Sequence, residues 1–286
     1  MNKNQFNHNV IAIVYDFDGT LTPKPMQEYT ILPEIGIDDG AKFWEEVSRE
    51  SKRTKGEGIL TYMRLMLEKS KAKGFPVTSE KLTELATKIE YYPGVANYFK
   101  RITSFMQDEF NDIEVRHYVI SAGLKEIIDG TTIANHFHKI FACEYYYDEY
   151  GAAVFPKVIV NDTLKTQFIF RINKGKEELH ESINSHMSMA DRPIPFQNIL
   201  YIGDGLTDVP CMAVIKQNGG HSIAVFDSDN DDGKNTCNEL LGRKLVDFIS
   251  EADYRSKSKL NHHVKLLLRN IAEGIRSHNG STNISR

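Results

Sequence analysis

Three apolar runs in this chain stop abruptly at polar turns. Val10 to Tyr15 gives way to Asp16-Phe17-Asp18-Gly19-Thr20, Val119-Ile120 to Ser121-Ala122-Gly123, and Ile199 to Ile202 to Gly203-Asp204-Gly205-Leu206-Thr207-Asp208. Short apolar runs of this kind, without polar alternation, read as strands buried on both faces, the pattern of a parallel sheet. Strands are expected at Val115 to Ile120, Lys139 to Ala142, Asn198 to Ile202 and Ser222 to Phe226. Helices are expected at Leu124 to Asn135, from Thr163 to Lys165 onward, and after Asp208. Strands separated by helices imply an α/β fold, a Rossmann-like, mostly parallel sheet with helices on both faces.

Between the first two strands the pattern differs. After the breakers Pro23 and Pro25 come three helical stripes: Phe43, Trp44 and Val47; Ile59, Tyr62, Met63, Met66 and Leu67; Leu82, Leu85, Ala86 and Ile89. No strand lies among them, and Tyr92-Pro93-Gly94 closes the segment. Residues 23–90 are therefore expected to form a small all-helical domain inserted after the first strand, with 1–22 and 91–250 as the core. A hairpin is expected over Glu144 to Pro156, turning near Glu149-Tyr150-Gly151, and a polar interruption over Gly175 to Gln197. Leu260, Val264, Leu267, Leu268, Ile271 and Ile275 mark an amphipathic helix within 251–286, docked on the core and followed by a flexible tail.

Composition removes several function classes. The chain has 35 Lys and Arg against 39 Asp and Glu, a net charge of −4, so it is not built to bind a polyanion and nucleic acid is disfavoured. No apolar run approaches the ~18 residues that span a bilayer, and the opening residues lack the charged and apolar regions of a signal peptide. A cytoplasmic protein without membrane partners, a monomer or homodimer, is expected. Cys143, Cys211 and Cys237 are odd in number and lack C-x-x-C spacing, so they read as reduced thiols. The last helix is locally basic, with seven Lys or Arg against three acids over residues 251–286, and its apolar stripe favours docking on the core over a membrane surface.

The polar turns carry the chemistry. Asp16 and Asp18, two apart at a strand end, share one side of the backbone at the edge where open α/β sheets bind ligands. Asp204 and Asp208 beside Asp16 concentrate negative charge, which favours a hard cation with oxygen ligands, Mg2+ being the natural choice. Ser121-Ala122-Gly123 offers a hydroxyl and unhindered N–H groups to an anion such as phosphate. Helix capping explains each turn separately, but not their order along the chain.

That order, Asp-x-Asp-Gly-Thr, Ser after a strand, Lys at a helix start, then Gly-Asp-Gly-x-x-Asp, resembles the haloacid dehalogenase-like hydrolase superfamily, specifically its aspartate-nucleophile phosphatases. The insert resembles that superfamily's helical cap of the first type, and the hairpin resembles an excursion of the phosphoserine phosphatase branch. The resemblance implies a Mg2+-dependent phosphomonoester hydrolase acting on a small phosphorylated metabolite. It implies Asp16 as nucleophile, Asp18 as general acid and base, and Ser121, Ala122 and Gly123 as phosphate binders. Asp16, Asp18 through its carbonyl, and Asp204 would ligate the metal, with Asp208 holding metal-bound water or a neighbouring group. A lysine would offset charge at the phosphate. Lys165, opening its helix, is preferred over Lys174, which lies later in it.

The pattern departs from the phosphoserine phosphatase branch at Pro25, where that branch has the Glu that binds the substrate ammonium, and at Ala122 and Thr207. The nearest acid is Glu28, and the insert offers Arg49, Arg53 and Arg64. A phosphomutase or a non-catalytic metabolite-binding module are the alternatives, and the presence of Asp18 argues against the latter. Asp227 to Gly233 has no frame that fits a calcium loop and is expected as a solvated acidic loop. The pairs His136 with His138 and His262 with His263 lack partner ligands and are expected as surface or satisfied side chains.

Overall fold

The computed structural model describes residues 8 to 284, with side chains from 8 to 278. In chain order the elements are β1 (Val10–Tyr15), α1 (Met26–Tyr29), α2 (Ile31–Glu34), α3 (Gly40–Thr54), α4 (Gly58–Ala72), α5 (Ser79–Leu85) and α6 (Val95–Glu109). They continue with β2 (Glu114–Leu124), α7 (Lys125–Asp129), β3 (Phe137–Tyr147), β4 (Ala153–Val158), α8 (Lys165–Lys174), β5 (Ile199–Gly203) and α9 (Val209–Gln217). The chain ends with β6 (His221–Phe226), α10 (Asp231–Gly242), β7 (Phe248–Glu251) and α11 (Lys259–Ile284).

The strands form one seven-stranded sheet in the order β4-β3-β2-β1-β5-β6-β7, parallel throughout except for the β3–β4 hairpin. Ile11 to Tyr15 are all inaccessible to solvent, and successive strand residues point to opposite faces, so helices cover the centre of the sheet on both sides. On one face Tyr15 packs edge-on against Tyr98 and Phe99 of α6, and its hydroxyl meets Nδ1 of His117 at 3.0 Å. Between β1 and α6 the chain is helical, from α1 to a short 3₁₀ turn at Ala86–Lys88.

Register places the strand ends. Tyr15 is level with Val119 on one side and Ile202 on the other, so Asp16, Ser121 and Asp204 emerge within two residues of one line. The Asp16 N–H donates to the Ile202 carbonyl at 3.0 Å and carries the β1–β5 alignment one residue further.

Several elements differ from expectation. The helix expected over Leu124 to Asn135 is only the five residues of α7, because the Thr131 hydroxyl takes the Ile128 carbonyl at 2.6 Å and turns the chain. β2 runs on through Ser121-Ala122-Gly123, with an irregularity in its pairing to β3 there. The acidic stretch after Asp227 enters a helix: Asn230 caps α10 by accepting the Gly233 N–H at 3.0 Å, and Asp231 and Asp232 sit in the first turn, where the helix dipole favours negative charge. β7 was not expected, since its four residues are too few to show a period. α11 continues to Ile284 and takes in most of the expected flexible tail; Ser285 and Arg286 lie outside the described residues.

The polar interruption over 175–197 is held by the last turn of α8. The Arg171 guanidinium donates to the carbonyls of Lys176, Glu178, Leu179 and Glu181, and Lys174 Nζ donates to those of Ile183 and Ser185. Among the described residues no helix is long and apolar enough to cross a membrane.

Candidate active site

The carboxyl ends of β1, β2 and β5 and the start of α8 bring together all the side chains named from the sequence except Lys174. One oxygen from each of Asp16, Asp204 and Asp208 lies within 4.8 Å of the others. Lys165 is 1% exposed, and its Nζ is 2.8 Å from Asp16 Oδ2 and 2.8 Å from Asp208 Oδ1. Lys174 is nine residues further along, about two and a half turns, which turns it to the opposite side of α8.

Each acid is held differently. Asp16 accepts the Phe17 N–H on Oδ1 at 2.7 Å, leaving Oδ2 to Lys165. Asp208 is fully buried and saturated: Oδ1 accepts from Lys165 and from the Tyr201 hydroxyl at 2.7 Å, and Oδ2 from the Asp204 N–H at 3.1 Å. Asp204 is half-buried, and its carboxylate receives no hydrogen bond from another described residue. It packs against Gly19, whose φ of +75° and the 2.4 Å from an added Cβ to Asp204 Oδ2 leave room for glycine alone. Asp18 accepts the Met26 N–H on Oδ1 at 2.9 Å.

Burial sets the proton affinities. It pushes Asp16 up to about 6, with Lys165 pulling back and Asp208 adding to the rise. Burial and then the Asp16 charge push Asp18 up to about 8. Asp204 is held well above the usual carboxylate range by burial and by Asp208 and Asp16. Burial opposes the charge of Lys165, but Asp16 and Asp208 overcome it and hold the ammonium above its ordinary range.

Ser121 is fully buried; its Oγ accepts the Gly123 N–H at 2.9 Å, which leaves the hydroxyl proton to point elsewhere. A Cβ on Gly123 would fall 2.1 Å from Met26 Cε and 3.2 Å from Asp18 Oδ2, so the backbone lies close to the acid only because no side chain intervenes. Four residues of this neighbourhood were not named as site residues. Tyr201 fixes Asp208, and its hydroxyl in an otherwise apolar strand was the available signal. Met26 covers Gly123, Tyr62 donates its hydroxyl to the Ala122 carbonyl at 2.9 Å, and Trp44 Nε1 donates to Glu28 Oε1 at 2.8 Å. Helical periodicity marks Trp44 and Tyr62 as packing residues of the inserted segment, a class of which some were expected to face the substrate. Arg53 and Arg64 are paired with Glu50, and Arg64 also with Glu68. A larger cavity of about 610 Å³ at the other end of the sheet, beside Asn198, His221 and Ile275, shares no residue with the acidic cluster.

The family model described as haloacid dehalogenase-like hydrolase matches residues 13–213, a span that contains every one of these acids and Lys165. The chain belongs to the haloacid dehalogenase-like hydrolase family. This hydrolase is 29% identical to an uncharacterized protein of Borreliella burgdorferi (strain ATCC 35210), over 88% of this chain and 94% of that one. Its fold is similar to that of a phosphoserine phosphatase solved as a phospho-aspartyl intermediate analogue, with a TM-score of 0.55 at 16% identity, covering 90% of this chain and 99% of the other. It is also similar to a probable phosphoserine phosphatase from Vibrio cholerae in unliganded form, with a TM-score of 0.58 at 13% identity, over 95% of the hydrolase and 68% of that chain.

Proposed function

We propose that this hydrolase is a Mg2+-dependent phosphomonoesterase that acts on a small phosphorylated metabolite in the cytoplasm through an aspartyl-phosphate on Asp16. The observation that carries the reading is the pairing of Asp16 with Lys165 at 2.8 Å beside a second acid, Asp18, held by the Met26 N–H at 2.9 Å. A nucleophile and a proton donor so close to a buried cation suit phosphoryl transfer.

The donor set fits a hard divalent ion. Asp16 and Asp204 present carboxylate oxygens beside the Lys165–Asp208 pair, and the Asp204 carboxylate has no hydrogen-bond donor among the described residues. Asp16, Asp204 and the main-chain carbonyl of Asp18 would hold Mg2+, while Asp208, its oxygens already taken, positions Lys165 and the Asp204 backbone. When bound, the ion supplies the positive charge that lets an anionic phosphoryl group approach the carboxylates.

Asp16 Oδ2 attacks phosphorus, with Oδ1 fixed by the Phe17 N–H. The O–P bond to Asp16 forms as the bond to the leaving oxygen breaks, and Asp18 gives that oxygen its proton. In the second half a water oxygen attacks phosphorus, its proton passes to Asp18, and Asp16 leaves as the carboxylate. Ser121 donates its hydroxyl proton to a phosphoryl oxygen, and Lys165 offsets the charge shared by nucleophile and phosphate.

Inorganic phosphate release from phosphomonoesters, with Mg2+ and with EDTA, tests the reading in the wild type and in Asp16→Asn. Release that needs both Mg2+ and Asp16 is expected. Full Mg2+-dependent activity in Asp16→Asn would falsify it.

A further inference from the structure

We infer that Tyr254 is a positioning residue for the proton donor Asp18, acting through the turn that carries it; this rests on the phosphatase reading above. Asp18 stands in a turn that folds back on Phe17. The N–H groups of Thr20, Leu21 and Thr22 converge on the Phe17 carbonyl at 3.3, 2.8 and 3.3 Å, and the Gly19 N–H donates to the Thr22 carbonyl at 2.8 Å. These bonds set the shape of the turn, while its placement depends on contacts from outside. Two of its carbonyls are taken from far along the chain: Leu21 by the Tyr92 N–H at 3.0 Å, and Thr20 by the Tyr254 hydroxyl at 2.8 Å.

Tyr254 lies just after β7, past the span that the family model matches, and is inaccessible to solvent. Both of its backbone groups are engaged: its N–H donates to the Pro93 carbonyl at 2.8 Å, and its carbonyl accepts from the Arg101 guanidinium of α6. Its ring meets Tyr98, also of α6, edge to face, with centroids 4.9 Å apart. The hydroxyl is therefore delivered by a side chain with little freedom of its own. Thr20 is fully buried, so without that hydroxyl its carbonyl loses a donor that water does not readily replace. The turn then shifts to find another, and a displacement of about 1 Å at Asp18 is enough to slow proton transfer to the leaving oxygen. The Tyr254 hydroxyl bonds the backbone of the turn and not Asp18 itself, so its effect passes through geometry. A proton donor matters most when the leaving oxygen is basic, which separates a misplaced Asp18 from a general loss of fold.

Phosphate release by the full-length protein with Mg2+ is measured on p-nitrophenyl phosphate, whose phenolate departs readily without a proton, and on phenyl phosphate, whose leaving oxygen is more basic. The readout is the ratio of kcat/KM for phenyl phosphate to that for p-nitrophenyl phosphate, a quantity from which any loss of folded enzyme cancels. Tyr254→Phe, which keeps the ring and removes the hydroxyl, is expected to lower this ratio about tenfold, and Asp18→Asn to lower it further. Tyr92→Phe, whose lost hydroxyl meets Asp227 at 3.1 Å and not the turn, is expected to leave the ratio unchanged. A wild-type ratio in Tyr254→Phe, whatever its absolute rates, overturns the positioning role and leaves the phosphatase reading standing. An equal shift in Tyr92→Phe also overturns it, since the effect would then belong to the linker as a whole. A wild-type ratio in Asp18→Asn removes Asp18 as the proton donor and the inference with it, and no phosphate from either compound in the wild type overturns both readings.

Discussion

Lys165 Nζ lies 2.8 Å from Asp208 Oδ1, with the lysine 1% exposed and the aspartate fully buried. The same nitrogen touches Asp16 Oδ2, so one ammonium compensates two buried carboxylates. Asp208 is in turn held by Tyr201 and by the Asp204 N–H, which fixes the lysine in front of the nucleophile.

Lys165 and Lys174 therefore have separable roles. Lys165→Met leaves buried acids uncompensated and is expected to cost about 3–5 kcal/mol of stability in EDTA. Its kcat is expected to fall by about two orders of magnitude or more. Lys174→Met removes only the anchors on the Ile183 and Ser185 carbonyls, so activity is expected to persist while the 175–197 segment becomes more susceptible to protease. Urea unfolding, phosphate release and limited proteolysis on both variants check this. Loss of activity in Lys174→Met with Lys165→Met active would reverse the assignment.

Among the described residues the Asp204 carboxylate has no hydrogen-bond donor, and it is held beside Asp16 and Asp208. Replacing it with Asn relieves like-charge repulsion, so in EDTA the variant is expected to be about 1 kcal/mol more stable than the wild type. Saturating Mg2+, about a hundred times its Kd, is expected to stabilise the wild type by about 2.7 kcal/mol and the variant by much less. Equal stabilisation of both proteins by Mg2+ would remove Asp204 from the metal site.

Gly123 allows the close approach of the strand to Asp18 and Met26. Gly123→Ala drives a methyl group into Met26, which is fully buried, and is expected to cost about 1–3 kcal/mol and at least about tenfold in kcat. Adding Met26→Ala is expected to recover part of the stability, because the obstructing side chain is gone. Thermal unfolding and steady-state rates on the single and double variants decide it; a single variant that behaves like the wild type refutes the close approach.

His117 gives the fold a pH dependence of known sign. Burial, then the neighbouring His136, pushes it down to about 3; its Nδ1 meets the Tyr15 hydroxyl and its Nε2 the Thr103 hydroxyl at 3.1 Å. A histidine depressed in the folded state contributes stability above its unfolded pKa of about 6.5, and that contribution is lost as pH falls toward the folded value. Between about pH 7.5 and pH 5 the loss is about 2 kcal/mol. Asp16 and Asp18, both raised, act in the opposite direction over this range. The readout is therefore the difference between wild type and His117→Gln in urea unfolding at both pH values. A difference that stays constant across the range would show that His117 does not titrate in this way.

The strands and their acids were legible because burial on both faces leaves a local mark: an apolar run, then a polar stop. Asp16, Asp18, Ser121 and Asp204 could be read in this way, and helical spacing gave α3, α4, α8 and the apolar stripe of α11. β7 and α10 were missed, one too short for a period and the other masked by an acidic first turn that favours a helix start.

The sequence by itself determined the alternation of strand and helix, and with it which acids stand at the carboxyl edge of the sheet. Only the tertiary structure decided which lysine meets them, that Asp208 is committed to Lys165 and Tyr201, and that Met26 bonds Asp18, Trp44 bonds Glu28 and Tyr62 bonds the Ala122 carbonyl. Strand ends are set by local pattern, whereas these contacts depend on the rotation of α8 and on how the segment between β1 and α6 seats against β2. Residues 60 positions apart, such as Tyr62 and Ala122, meet only after the chain has folded.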